Sequence, residues 1–283
     1  MVASEALEAV RARVDPALLR LLADRRAELT AMDPSAAVLV EELERLVRAG
    51  GKRIRPALCY WAFRSAGGTD GDPIVNVGVA LELLHTSALV HDDVMDGGTE
   101  RRGVPASHVR FADEAPPGAD AAMFGTAAAV LVGDLALVLS EQALRSSGFG
   151  GEVLARAMSR FDRMRIEMAA GQFLDVSKAA DRERVAALKS GSYTAVGPVL
   201  IGTALAGAEP AVEGRLGVYA RLVGAAFQLR DDVADGEVPP GSAAEVGELV
   251  ERAVRSLEGA PLEPQGAAAL TELAELLRPP QEM

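Results

Sequence analysis

Six aspartates in two matched clusters are the groups in this sequence best suited to chemistry. Asp92, Asp93 and Asp96 close the stretch LELLHTSALVHDDVMDGG (81–98), and Asp231, Asp232 and Asp235 close AFQLRDDVADG (226–236). Each cluster has DDxxD spacing, follows an apolar run and ends at a glycine. On a helix the first and last aspartates of each motif share a face. Two carboxylates ~6 Å apart repel by about 3 kcal/mol at an effective dielectric of 20. The C-terminal end of a helix disfavours each anion by a further 0.3–1 kcal/mol or so. Acids at two such ends therefore need a compensating cation. Hard oxygen donors in this number suit Mg²⁺, which takes carboxylates together with substrate phosphates.

A metal that binds phosphates needs cations nearby to hold the anion, and the sequence supplies them. GGKRIRP (50–56) puts Lys52, Arg53 and Arg55 at a predicted helix start, and Arg101 and Arg102 follow the first aspartate cluster. Arginine forks match phosphate oxygens and lysine adds a point charge. Lysines are scarce in this chain: only Lys52, Lys178 and Lys189. His85 lies seven residues before Asp92, two turns back on the same face.

The elements that must position these groups read as helices. Hydrophobic residues make up 49% of 283 residues and aromatics only 4%, so Ala, Leu and Val dominate and the chain leans helical. Breakers divide it into helical blocks near 5–30, 36–49, 53–67, 74–96, 120–147, 150–176, 181–206 and 210–235, with weaker ones near 243–257 and 265–277. No block alternates with period two, so no sheet is expected. The segment AAMFGTAAAVLVGDLALVLS (121–140) mimics a membrane span, but Asp134 near its middle would cost roughly 2.5–3.5 kcal/mol in lipid. It is expected to be a helix buried on all sides of a bundle, and no transmembrane span is predicted. The simplest architecture is one all-α domain over residues 1–283.

The formal net charge of −12 argues against a nucleic-acid surface, which needs a basic stripe. The single Cys59 cannot form an intramolecular disulfide and fits a reducing, cytoplasmic setting.

Taken together, GGKRIRP, ELLHTSALVHDDVMD, RRGVP, GQFLD (171–175), KSGSYT (189–194) and AFQLRDDVAD resemble, in order, the motifs of the trans-isoprenyl diphosphate synthases, the polyprenyl synthetase family. The resemblance runs from about residue 35 to 236. It implies the isoprenoid synthase fold, a bundle of long helices around a deep central cavity, in a homodimer. It also implies a Mg²⁺-dependent prenyltransferase that condenses isopentenyl diphosphate with an allylic diphosphate. In the family the two aspartate motifs face each other and bind three Mg²⁺ through the allylic diphosphate. By this resemblance Asp92, Asp96 and Asp231 are direct metal ligands, with Asp93, Asp232 and Asp235 supporting. Lys52, Arg55, His85 and Arg102 match the isopentenyl diphosphate site. Arg101, Lys189, Ser190 and Gln228 match the allylic site, with Ser190 where threonine is usual.

Before the first aspartate motif, where short-product members often carry an aromatic, this chain has Ser87 and Ala88. Leu84, eight residues before Asp92, lies about 12 Å back at 1.5 Å per residue. Leu81, Met123 and Phe124 are candidates for a deeper floor, which points to geranylgeranyl diphosphate or longer. The chain departs from the family after the second motif, where DGEVPPGSAAE (235–245) lacks the usual lysine loop and the C-terminal region is short. That departure keeps a catalytically weak partner subunit among the alternatives. A class I terpene cyclase is the other, but its second motif requires serine or threonine and then glutamate where this chain has Asp235 and Pro239.

Overall fold

The computed structural model describes residues 4–178, 181, 185, 187–234, 236, 238 and 242–278, without the side chains at 187, 189 and 190. In chain order the elements are α1 (Glu5–Met32), a 3₁₀ turn (Pro34–Ala37), α2 (Val38–Arg48), α3 (Ile54–Ser65), α4 (Asp72–Asp96), β1 (Glu100–Arg101), β2 (Val104–Pro105), α5 (Ser107–Asp113), α6 (Ala121–Arg145), α7 (Gly151–Val176), a π-helical stretch (Ala187–Val196), α8 (Gly197–Leu205), α9 (Pro210–Ala234), α10 (Ala243–Leu257) and α11 (Pro264–Glu275). The expected all-α class holds. The expected absence of a sheet does not, because β1 and β2 form a two-residue antiparallel hairpin, Arg101 opposite Val104. Its turn carries two positive φ values, 56° at Arg102 and 75° at Gly103. That is the backbone of a type I′ turn, whose twist suits a tight hairpin.

The chain divides by its contacts into two compact units. One comprises Arg11–Arg53 and Val75–Ser147. Its core draws Leu18 and Leu22 from α1, Val40 and Leu43 from α2, Val77, Leu81, Leu83 and Leu84 from α4, and Val132 and Leu139 from α6. Helix α6 packs on α2 and α5. Asp120 caps it, its carboxylate accepting from Met123 N at 3.1 Å.

Residue 42 of α2 is a buried glutamate among apolar neighbours, and three donors compensate it. Arg45 reaches it through Nε at 2.7 Å and Nη2 at 2.6 Å, Ser107 Oγ at 2.5 Å and Arg110 Nη1 at 2.5 Å. Arg45 Nη2 also donates to the carbonyl of Pro105 at 2.8 Å, so this cluster grips the base of the hairpin. A second buried cluster holds Arg53, which donates to Asp15 and Glu82, both at 2.6 Å, and to the Val47 carbonyl at 3.1 Å.

The expectation that 121–140 is buried on all sides is wrong. Met123, Leu131 and Val138 are 67%, 55% and 64% exposed, and Val130 joins them on one face of α6. High hydropathy identified a helix but not which face of it the chain covers.

The other unit comprises Met1–Val10, Ile54–Ile74 and Gly148–Met283. Helix α3 packs on α8 and α11, α7 on the π-helical stretch and α8, and α9 on the π-helical stretch, α8 and α10. Buried polar tips are satisfied in this core. Trp61 Nε1 donates to the Ala6 carbonyl at 2.8 Å, and Tyr219 donates its hydroxyl to the Leu270 carbonyl at 2.6 Å.

Candidate active site

In the first unit, α4 is buried along most of its length and emerges only where the aspartates begin. Gly97 at φ 67° takes the left-handed step that ends the helix, and Gly98 N donates back to the Asp93 carbonyl at 3.0 Å. This is a Schellman closure, and it turns the chain towards the hairpin within four residues. Asp92 is part-exposed, Asp96 exposed and Asp93 buried. Ala88 and His85 follow Asp92 back along the same face, both half-buried.

The hairpin brings Arg101 onto Asp93. Its Nε lies 3.0 Å from Asp93 Oδ1 and 3.3 Å from Oδ2, Nη2 bonds Oδ1 as well, and Asp92 Oδ2 lies 3.7 Å away. The bonds to Asp93 and the charges of Asp92 and Asp96 raise the Arg101 pKa. Part of the cation that the aspartates require is thus built into the chain. Asp93 and Arg101, expected to support metal and to hold the allylic diphosphate respectively, bind each other here.

The GGKRIRP residues separate by role. Lys52 is exposed just ahead of α3, whereas Arg53 is buried in its ion pairs with Asp15 and Glu82. Arg53 therefore belongs to the core and not, as the charge count suggested, to an anion site. Arg102 donates to the Gly50 carbonyl. Gly51 leaves room for both guanidiniums: a Cβ there would lie 2.5 Å from Arg53 Nη1 and 3.1 Å from Arg102 Nη2. Arg102 and Arg53 hold φ near 56°, an uncommon conformation for a side chain of this size.

In the other unit, Asp231 and Asp232 of the second cluster lie in the last turn of α9. Gln228 Nε2 donates to Asp232 Oδ1 at 2.6 Å, and Arg230 Nη2 donates to Asp231 Oδ1 at 3.2 Å. Asp231 is 46% exposed at its side chain. Asp235 lies outside the described residues, as do the side chains of Lys189 and Ser190. The backbone of 189–190 belongs to the π-helical stretch, a form that recurs at functional sites. This stretch approaches α9 closely, because a Cβ on Gly224 would sit 3.0 Å from the Gly191 carbonyl oxygen. Gly224→Ala is expected to force the backbones apart and lower turnover by about 10- to 100-fold, the scale of a misplacement near 1 Å. Steady-state kinetics beside circular dichroism would check this, and unchanged turnover would show the approach to be dispensable.

Arg55, in the first turn of α3, has its guanidinium 4.1 Å from the ring centroid of Tyr193 and donates from Nη2 to Thr194 Oγ1 at 2.9 Å. Neither partner was among the residues expected from the sequence. The motif KSGSYT contains both, but only the π-helical backbone reveals which of its side chains meet α3.

Among the described residues, no three histidine, cysteine or acidic side chains converge to enclose a metal ion by themselves. The donors present suit Mg²⁺ nevertheless. Asp92 and Asp96 offer hard oxygens from one face of a helix end, and this ion commonly takes one or two carboxylates and completes its shell with phosphates and water.

Comparison with known proteins identifies the family of the chain. The polyprenyl synthetase family model matches residues 36–244. The chain belongs to the polyprenyl synthetase family. It is 30% identical over 252 residues to the short chain isoprenyl diphosphate synthase of Methanothermobacter thermautotrophicus, a match covering 84% of this chain and 73% of that protein. It is 32% identical over 200 residues to the geranylgeranyl diphosphate synthase of Methanosarcina mazei, covering 69% of this chain and 57% of that protein. Among solved structures, the fold is similar to the geranylgeranyl pyrophosphate synthase of Corynebacterium glutamicum complexed with isoprenyl diphosphate and magnesium. That likeness has a TM-score of 0.85 at 23% identity, over 98% of this chain and 99% of that one. The isoprenoid synthase fold expected from the motifs is therefore the fold of this polyprenyl synthetase.

Proposed function

We propose that this polyprenyl synthetase condenses isopentenyl diphosphate with an allylic diphosphate to give geranylgeranyl diphosphate or a longer all-trans product. The observation that carries the proposal is the pair of DDxxD helix ends on α4 and α9, in a family member that also has its arginines at 55, 101 and 102. Asp92, Asp96 and Asp231 would hold Mg²⁺, with Asp232 and Asp235 in supporting roles. When bound there, Mg²⁺ would draw charge from the leaving diphosphate and ease ionisation of the allylic C–O bond.

The residues of the chain do the rest. Arg101 stays on Asp93 and orients that carboxylate, while Lys189, Ser190 and Gln228 attend the allylic diphosphate. Lys52, Arg55, His85 and Arg102 hold isopentenyl diphosphate with its double bond towards the ionising carbon. The alkene attacks that carbon, and loss of a proton, to the released diphosphate, completes the new C5 unit. No side-chain nucleophile takes part. The apolar length of α4 excludes water from the cation. An omission series tests this: a longer diphosphate should form only with both substrates and Mg²⁺ present. Hydrocarbon formed equally well without isopentenyl diphosphate would instead indicate a cyclase.

Product length follows from the small residues one turn before the motif. Ser87 and Leu84 are buried, whereas Met123 is too exposed to act as a floor within its unit. Ser87→Phe should therefore shorten the product by at least one C5 unit in mass spectrometry. An unchanged product would move the floor elsewhere.

We further propose that the whole chain acts as one catalytic domain in a cytoplasmic homodimer. The exposed stripe of Met123, Val130, Leu131 and Val138 supports dimerisation, as it is a larger run of apolar side chains than a solvated helix face normally carries. Asp134, 61% exposed on the same helix, argues against lipid as its cover. Val138→Glu should shift the mass measured by light scattering from dimer to monomer; a mass unaffected by the charge would exclude this face.

A further inference from the structure

We infer that Tyr193 and Thr194 are positioning residues that set Arg55 for the diphosphate of the homoallylic substrate. This rests on the assignment of Arg55 to the isopentenyl diphosphate site. A guanidinium in the first turn of a helix faces the positive end of the helix dipole, so Arg55 gains nothing from α3 itself. Its stabilisation comes from the π-helical stretch. The Tyr193 ring, 4.1 Å from the guanidinium carbon, offers its electron-rich face, and the Thr194 hydroxyl accepts from Nη2 at 2.9 Å. Both partners are buried, Tyr193 at 8% and Thr194 at 2% exposure, so the arrangement is held by packing and not by solvent.

The pairing is incomplete in a specific way. Neither partner is an anion, so among the described residues the Arg55 charge is oriented but not neutralised. Its Nε is buried and has no hydrogen-bond acceptor among the described residues. A buried donor without an acceptor is costly, and a native structure rarely keeps one without a reason. A phosphate oxygen would satisfy it and supply the missing charge, because Arg–phosphate bonds are commonly bidentate. The contrast with Arg53, two residues earlier, is informative. Arg53 is neutralised by two carboxylates and so is closed to an anionic ligand, whereas Arg55 is fixed by a ring and a hydroxyl and stays open to one.

The test is a kinetic series on the full chain with isopentenyl diphosphate and an allylic diphosphate varied in turn. Thr194→Val and Tyr193→Leu should each raise the KM for isopentenyl diphosphate about 10-fold, roughly the loss of one hydrogen bond to a charged group. The KM for the allylic substrate and the circular dichroism spectrum should stay unchanged. Thr194→Ser and Tyr193→Phe, which keep the hydroxyl and the ring face, should retain near-normal KM. In an Arg55→Lys background, already high in KM for isopentenyl diphosphate, Thr194→Val should add little. An equal effect of Thr194→Val in both backgrounds, or no effect in the parent chain, would overturn the inference while leaving Arg55 in its site. A normal isopentenyl diphosphate KM in Arg55→Lys alone would instead overturn the assignment on which the inference rests.

Discussion

Asp92→Ala and Asp231→Ala are each expected to lower turnover by about 100-fold or more while the helical spectrum is retained. Each substitution removes a hard oxygen donor proposed to hold metal on the leaving diphosphate. Metal stabilisation of developing charge is worth several kcal/mol, and about 3 kcal/mol already corresponds to two decades in rate. The fold should tolerate both changes, since Asp92 is part-exposed at the end of α4 and Asp231 is 46% exposed at its side chain. Removing either charge also relieves like-charge repulsion at a helix C-terminus, so stability should rise slightly or stay the same. Higher Mg²⁺ should recover part of the loss for Asp92→Ala. Asp93→Ala should behave differently: it would strand Arg101 without its main acceptor and so cost stability as well as activity. Near-normal turnover in Asp92→Ala or Asp231→Ala would end the metal assignment.

The second large effect is on stability. Glu42→Ala should destabilise the chain by about 3–5 kcal/mol, the cost of breaking a buried charge cluster from one side. Glu42 is fully buried, and its loss leaves Arg45, Arg110 and Ser107 without their shared acceptor. Burial pushes the Glu42 pKa up, but bonds from Arg45, Ser107 and Arg110 outweigh burial and hold it below the ordinary carboxylate value. A carboxylate with a depressed folded pKa contributes stability above its unfolded pKa, near 4.3, and loses it as pH falls through the folded value. The gap in urea midpoint between the parent chain and Glu42→Gln should therefore be widest at neutral pH and narrow below about pH 4. A gap that stays constant from pH 7 to pH 3 would contradict this. Since Arg45 also holds the Pro105 carbonyl, loosening the cluster should lower activity through the hairpin that carries Arg101 and Arg102.

Much of this was legible from the sequence, for reasons specific to each element. Helices α4 and α9 lie close to the limits that their apolar runs and terminal glycines implied, because long runs between strong breakers leave few alternatives. The hairpin at 100–105 was not legible. Its turn relies on a left-handed Arg102, which no propensity rule favours, and it is held by Arg45 and Asp93 from outside the segment. Helix α5 was missed because SHVRFAD is too short to show a period. The covering of α6 could not be read from hydropathy, which is alike for a core helix and for one exposed on one face. Among the cations of GGKRIRP, Arg53 and Arg55 look equivalent in sequence. Their fates separate through Asp15 and Glu82, 38 and 29 residues away, and through Tyr193 and Thr194, more than a hundred residues away.

This chain is proposed to add C5 units to an allylic diphosphate. The most direct measurement is mass spectrometry of the diphosphates formed when purified protein, Mg²⁺ and isotopically labelled isopentenyl diphosphate are incubated with each allylic diphosphate from C5 to C20. Labelled diphosphates longer than the starter by whole C5 units, extending to C20 or beyond, are the predicted result. Starter diphosphates recovered unextended, with no label in any longer product, would contradict it.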